Sequence, residues 1–149
     1  SSDVCSSDLI TIAQTMKQAG YATGMFGKWH LGEKDAYHPG QRGFDEAIVT
    51  MGKHFDFKTQ PPVEYPKGEY LADFLTDKAV DFIQRHKDAP FFLYLPHYAV
   101  HTPIQAKTNV TAKYQAKLDR ASGQTNPAYA ALVESVDDSG DELWRSSKH

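Results

Sequence analysis

A helical pattern that leads into a short apolar run constrains the fold of this chain more than any other feature. Over residues 70–87, apolar side chains recur at helical spacing, which predicts a helix with one apolar side. Pro90 ends that unit, and the five apolar residues at 91–95 follow it. Such a run is typical of a strand that is buried on both faces of a parallel sheet. A helix followed by a buried strand favours an α/β fold.

The rest of the chain continues this alternation. We predict helices over residues 10–19 and 127–136, and strands over residues 21–30 and 44–49. Residues 53–68 contain three prolines and no clear period, so we expect a loop there. The alternation of helices and strands favours an α/β sandwich over a helical bundle or an all-β fold.

Composition and length exclude several classes of protein. A length of 149 residues, of which 40% are hydrophobic and 23% charged, is typical of one globular domain. The net charge of −3 argues against a nucleic-acid binder, and no apolar run approaches the roughly 18 residues that span a membrane. The single cysteine, Cys5, excludes an internal disulfide and a multi-cysteine zinc site. An enzyme or a binding module remains.

Both ends of the chain differ from its middle. Residues 1–9 are rich in serine and lack a secretory signal, and residues 3–9 back-translate to a sequence that looks like a sequencing adapter. We therefore predict a non-native or disordered tail over residues 1–9. Residues 140–149 stop without a turn signal or a cap, and we predict a divergent C-terminal tail there. These ends indicate an internal piece of a longer protein.

Lys28 and His30 form the first candidate site, at the end of the strand predicted over residues 21–30. Side chains alternate along extended backbone, so these two would share one side while Trp29 points into the core. Open α/β sheets bind ligands at the carboxyl ends of their strands. An ammonium beside an imidazole suits a tetrahedral oxyanion such as sulfate or phosphate. A solvated lysine beside an incidental histidine is an equally open interpretation of the spacing alone.

His97 and His101 form the second candidate pair, directly after the strand predicted at residues 91–95. Their spacing of four would suit two zinc ligands on a helix. However, Pro96 and Pro103 bracket the segment, and no nearby glutamate completes a zinc motif. Spacing alone therefore favours a pair of loop histidines, which would face the first site from a neighbouring strand end.

The segment at residues 20–32 resembles the second signature of the type I sulfatases. It contains the ordered sequence Gly-Lys-Trp-His-Leu-Gly, preceded by Gly-Tyr-Ala-Thr. Similar blocks follow at residues 38–39, 42–45, 70–83, 90–95, 100–105 and 129–138. The resemblance covers residues 10–139, which we predict to be a partial N-terminal catalytic domain of a sulfatase.

The resemblance implies a fragment of an alkaline-phosphatase-like α/β sandwich, with a mainly parallel central sheet flanked by helices. The activity that it implies is the hydrolysis of sulfate esters in a full-length parent. Lys28 would hold the sulfate, and His30 would act as a general base that helps to expel sulfate from the covalent intermediate. His101 would contact the sulfate ester and protonate the leaving alcohol. His97 matches no motif of the family.

The resemblance also implies Ca²⁺ and a formylglycine in the parent, the latter made from the cysteine or serine of a C-x-P-S-R motif. Cys5 is followed by Ser6, Ser7 and Asp8, so it does not match that motif. Asp137 and Asp138 lie near a predicted helix end, where capping or solvation is a better explanation than metal binding. We therefore expect no metal ligands and no nucleophile in this chain, and no activity from the chain by itself.

A sulfated small molecule or a sulfated glycan is the partner that the resemblance implies. The parent would be exported to the periplasm, the extracellular space or the lysosome. One alternative is a phosphomonoester or phosphonate hydrolase of the same superfamily. Another is a non-catalytic, truncated fragment that binds anions.

Overall fold

The structure is a computed structural model that describes residues 9–32, 35–118, 123 and 125–148. Residues 1–8 of the predicted N-terminal tail lie outside the described residues. The helices and strands follow in the order α1 (Ile12–Gln18), β1 (Ala22–Gly27), β2 (Glu46–Met51), β3 (Lys58–Gln60), α2 (Leu71–His86), β4 (Phe91–Tyr94), α3 (Thr108–Gln115) and α4 (Pro127–Ser146). Two short 3-10 helices lie between β1 and β2, at Asp35–Tyr37 and Pro39–Gln41.

The strands form one sheet in the order β3-β2-β1-β4. β1 is parallel to both of its neighbours, and its Gly24 lies beside Glu46 of β2 and Leu93 of β4. β3 is antiparallel to β2. Because β1, β2 and β4 run in the same direction, their carboxyl ends meet at one edge of the sheet. The predicted α/β fold with a mainly parallel sheet is confirmed.

Helices cover both faces of this sheet. Adjacent residues of a strand point to opposite faces, and Met25 of β1 packs with Ala13 of α1 while Phe26 packs with Leu75 and Phe82 of α2. The rings of Phe26 and Phe82 meet edge to face, with their centroids 5.9 Å apart. α1 and α2 therefore lie on opposite sides of β1, as a sandwich requires.

The prediction that residues 91–95 are buried on both faces is wrong. β4 is an outer strand of the sheet, so Phe91, Phe92 and Leu93 are only half-buried and Tyr94 is 44% exposed. The central strand β1 is buried instead, at five of its six residues. Its glycines and threonine give β1 a less apolar pattern than that of β4.

Several element boundaries also differ from the predictions. β1 ends at Gly27 rather than His30, and β2 begins at Glu46. The segment predicted as a loop over residues 53–68 contains the short strand β3. The patterns that we considered did not predict α3, which buries none of its residues.

The last helix is longer than its apolar pattern. We predicted an end at Val136, but α4 continues through Gly140 and ends at Ser146. The buried hydroxyls of Ser139 and Thr76 are 2.6 Å apart and join α4 to α2. No helix among the described residues is long and apolar enough to cross a membrane.

Candidate active site

A cavity of about 530 Å³ lies at the edge of the sheet where the parallel strands end. β2 and the segments that follow β1 and β4 all contribute to its wall. The residues that line it are Lys28, Trp29, Gly32, His38, Val49, Thr50, Met51, Gly52, Gln60, Tyr98 and His101. The cavity thus contains residues from both candidate sites, at the edge where open α/β sheets bind ligands.

The segments that follow β1 and β4 touch at the backbone. The φ angle of Gly27 is 141°, which favours glycine, and a side chain there would collide with the carbonyl oxygen of Pro96. The N–H of Lys28 donates to that same oxygen at 2.8 Å. Glycine at position 27 therefore allows the close approach that brings Lys28 to the segment containing His101.

Tyr98 lies between the two candidate substrate-binding residues. Tyr98 is 8% exposed. Lys28 Nζ lies 5.4 Å from the centroid of its ring, and the centroid of the His101 ring lies 4.9 Å from it. The Tyr98 hydroxyl is 2.8 Å from the carbonyl oxygen of Gly52 and 2.9 Å from that of Thr102. It can donate its proton to either oxygen. Because an aromatic face attracts a cation, the Tyr98 ring favours the position of the Lys28 ammonium, and the same ring contacts His101.

One nitrogen of His101 is fixed by the backbone. Its Nδ1 is 2.7 Å from the carbonyl oxygen of Thr102, and a carbonyl only accepts, so Nδ1 carries a proton. His101 is exposed, and Nε2 is then the nitrogen that can exchange a proton with a ligand. This arrangement suits proton transfer to or from a molecule in the cavity.

His30 occupies a different position from the one expected. It is exposed and is not among the described residues that line the cavity. The alternation argument that paired it with Lys28 does not apply, because β1 ends at Gly27. The structure therefore brings together Lys28 and His101, and the roles assigned to Lys28, His30 and His101 remain predictions.

Trp29 is half-buried and contacts both the core and the cavity. Its ring packs edge to face on Phe44 at 6.3 Å, and its Nε1–H donates to the carbonyl oxygen of Tyr37 at 2.8 Å. It also lines the cavity. Trp29 thus joins the core below the site to the wall of the site.

His97 lies apart from the cavity lining, although it is near His101 in sequence. Its Nδ1 is buried without a hydrogen-bond partner among the described residues. Burial lowers the pKa of His97, because the charged imidazolium is poorly solvated there. Among the described residues, no group of three or more His, Cys, Asp or Glu side chains could hold a metal ion.

Two histidines near this site were not predicted from the sequence. His54 is 1% exposed, and its Nε2 donates to the carbonyl oxygen of His101 at 2.9 Å. His38 lines the cavity, and its Nε2 is 3.4 Å from the carbonyl oxygen of Gln60. The block at residues 38–39 was a signal for His38, whereas His54 lies in a segment without a pattern.

Comparisons with known proteins identify the family and agree with the fold. A family model described as Sulfatase matches residues 6–143. The chain is 34% identical to N-acetylgalactosamine-6-sulfatase of Mus musculus, over 64% of this chain and 23% of that protein. It is 30% identical to arylsulfatase J of Mus musculus, over 88% of this chain and 25% of that protein.

A solved structure gives the same result for the fold. The crystal structure of Ps i-CgsB in complex with k-i-k-neocarrahexaose is similar with a TM-score of 0.79 and 26% identity. The similarity covers 99% of this chain and 38% of that chain. The chain belongs to the sulfatase family, with the alkaline-phosphatase-like fold of its structural neighbours.

The matches also indicate how much of a sulfatase is present. The chain spans about a quarter of the length of the curated relatives described above. The family match begins before residue 10 and continues past residue 139, the limits that we predicted for the domain. The division into a tail at 1–9, a domain at 10–139 and a tail at 140–149 remains a prediction.

Proposed function

We propose that this chain supplies the sulfate-binding part of a sulfuric ester hydrolase. One observation carries the proposal: Lys28 and His101 meet at the ring of Tyr98, in a cavity at the carboxyl edge of the sheet. In this proposal Lys28 binds the sulfate group, and His101 contacts the ester and protonates the leaving alcohol. In the longer protein, His30 would act as a general base.

The geometry supports different roles for the two residues: Lys28 supplies positive charge, and His101 transfers a proton. The Lys28 ammonium has three donors and no acceptor, which suits the oxygens of a sulfate group. Lys28 is half-buried. The Coulomb attraction between its ammonium and an anion is therefore stronger than it would be between the same charges in bulk water. As the ester bond breaks, negative charge develops on the leaving oxygen, and the Nε2 proton of a protonated His101 neutralises it.

Calcium and formylglycine belong to the longer protein in this proposal. In the part of the chain that the structure describes, no group of acidic, histidine or cysteine residues fits a metal site. Cys5 lies in residues 1–8 and lacks the sequence context of a formylglycine precursor. Since the residues present do not fit either group, we expect the chain to bind a sulfate ester without hydrolysing it.

The substrate class is a sulfate ester on an aryl group or on a sugar. The names of the two murine relatives and the oligosaccharide bound to Ps i-CgsB support both possibilities. The sulfatase family match does not favour the phosphate-ester or phosphonate alternative. Export of the longer protein is part of the proposal, and its support is the family membership.

Binding of 4-nitrophenyl sulfate to the chain, measured by NMR titration, tests the proposal. Lys28→Ala removes a charge-assisted hydrogen bond, so we expect binding at least about 10-fold weaker. Lys58→Ala is the matched control, because Lys58 is exposed on β3 and is not among the residues that line the cavity. It should bind within about twofold of the original chain.

Equal binding by the original chain and the Lys28→Ala variant would overturn the proposal. Binding of 4-nitrophenyl phosphate under the same conditions tests the alternative. Clear preference for the phosphate ester would favour a phosphate-ester hydrolase over a sulfatase. Far-UV circular dichroism of each variant shows that a loss of binding is not a loss of folding.

A further inference from the structure

His54 is the least exposed histidine of the described residues. It follows β2, is 1% exposed, and contacts two tyrosines. Its ring meets that of Tyr98 edge to face at 5.0 Å and stacks with that of Tyr70 at 6.3 Å. Burial lowers the pKa of His54, so the ring is neutral near pH 7.

The neutral ring uses its N–H to hold the segment that contains His101. Nε2 of His54 is 2.9 Å from the carbonyl oxygen of His101, and a carbonyl only accepts, so Nε2 carries the proton. A neutral imidazole has a single N–H donor. The one donor of a buried ring is therefore committed to the main chain of a proposed substrate-binding residue.

Three bonds together fix His101. Its N–H donates to the carbonyl oxygen of Tyr98 at 2.9 Å, its Nδ1–H donates to that of Thr102, and its own carbonyl accepts from His54. Of these three bonds, the last alone comes from another segment of the chain. It ties the main chain of His101 to the segment that follows β2.

His54 is itself held at its main chain. Its carbonyl oxygen accepts a hydrogen bond from the N–H of Leu71, the first residue of α2, at 2.8 Å. The support for His101 thus reaches a long, buried helix of the core. An apolar ring between the two tyrosines would fill the space without the cost of burying an imidazole, so filling space does not explain a histidine here.

We infer that His54 is a positioning residue that fixes the His101 turn and thereby keeps the His101 imidazole beside Lys28. The inference rests on the proposed role of His101 in binding the sulfate ester. It concerns a residue that does not line the cavity and would act on the ligand only through His101.

Three substitutions at position 54 distinguish the effect of the N–H donor from the effect of the aromatic ring. His54→Gln places an amide N–H near the position of Nε2, whereas the shorter His54→Asn reaches only the position of Nδ1. His54→Phe keeps a ring against the tyrosines and has no donor. His97→Gln is the control, because His97 lies in the same segment as His101 and is not among the residues that line the cavity.

Two measurements on the chain decide the question. The first is the dissociation constant for 4-nitrophenyl sulfate, corrected for the folded fraction. The second is the exchange rate of the His101 amide, which the bond to Tyr98 protects. For His54→Asn and His54→Phe we expect about 3- to 10-fold weaker binding and clearly faster exchange, because the His101 carbonyl loses its donor. His54→Gln and His97→Gln should stay within about threefold of the original chain.

The Gln and Phe variants are the decisive pair, because Gln keeps a donor and loses the ring whereas Phe keeps the ring and loses the donor. A merely space-filling role predicts that His54→Phe binds as well as or better than His54→Gln, and that result would overturn the inference. Unchanged binding and exchange in His54→Phe would overturn it as well. If the original chain does not bind 4-nitrophenyl sulfate, the proposed function fails, and His101 amide exchange in the same variants still shows whether His54 fixes the turn.

Discussion

Replacing Gly27 by alanine tests how closely the two halves of the site must approach. A backbone conformation that L-residues avoid costs about 1–3 kcal/mol, and the φ angle of Gly27, 141°, is of that kind. The new methyl group would also collide with the carbonyl oxygen of Pro96, which accepts the Lys28 N–H at 2.8 Å. Losing that hydrogen bond adds about 0.5–1.5 kcal/mol. Gly27→Ala should therefore lower the free energy of unfolding by about 2–4 kcal/mol.

Gly20→Ala is the matched control for this change. Gly20 also has a positive φ angle, 85°, but a side chain there would meet no atom within 4 Å. Its cost is the conformational one alone, about 1–2 kcal/mol. Urea unfolding at pH 7, followed by far-UV circular dichroism, measures both variants against the original chain.

The two variants should also differ in binding. Gly27→Ala moves Lys28 away from the segment of Tyr98 and His101, so binding of 4-nitrophenyl sulfate should weaken, whereas Gly20→Ala should bind normally. Equal unfolding free energies for the two variants would show that the contact with Pro96 adds no cost. The close approach of the two segments would then not be what requires glycine at position 27.

The remaining predictions concern the buried His54 and the half-buried His97. Burial lowers both pKa values below the ordinary 6.5, so the unfolded chain binds more protons than the folded chain at mildly acidic pH. The free energy of unfolding should therefore be highest above pH 6.5 and fall as pH drops toward 5, by at most about 1.4 kcal/mol per pH unit for each histidine. Urea titrations across that range would contradict this if the free energy of unfolding stayed constant or rose as the pH fell. His97→Leu removes a buried nitrogen that has no partner among the described residues, so its stability at pH 7 should be unchanged or higher by about 1 kcal/mol, with a shallower pH dependence. A Tm well below that of the original chain would refute this.

The general architecture was predictable because the signals for it are local. The apolar side of α2 and the run that became β4 identify a helix leading into a strand without any knowledge of distant contacts. The position of β4 in the sheet is not local information. An apolar run of this kind is as compatible with an outer strand as with a central one, and β1 became the central strand despite its glycines.

The extent of α4 shows why tertiary contacts override local propensity. Gly140 lowers the helix propensity of its segment by about 1 kcal/mol relative to alanine, and the apolar pattern weakens beyond Val136. Yet the hydrogen bond between Ser139 and Thr76 lies between α4 and α2, and it stabilises the helix at that point. The pattern of α4 alone does not contain this contact.

The candidate site was predictable in part. Lys28 and His101 follow strands that the sequence predicts to be parallel neighbours, so their meeting at one edge follows from topology. The position of His30 does not follow, because the strand, and with it the alternation of side chains, ends at Gly27. The support from His54 depends on the fold of an irregular segment, and irregular segments have no period from which to predict it.

The register of β1 has a consequence for the order in which this chain folds. The same residue, Gly24, pairs with Glu46 on one side and with Leu93 on the other, and the second pairing closes a loop about three times as long. Loop-closure entropy makes that pairing about 1 kcal/mol less favourable at the outset, and long-range pairing slows folding. The β1–β4 pairing that brings Lys28 to Tyr98 and His101 is therefore expected after β1 and β2 have joined. Affinity for a sulfate ester, if the chain binds one as proposed, would then arise at the end of folding. Its appearance would show that β4 has paired with β1.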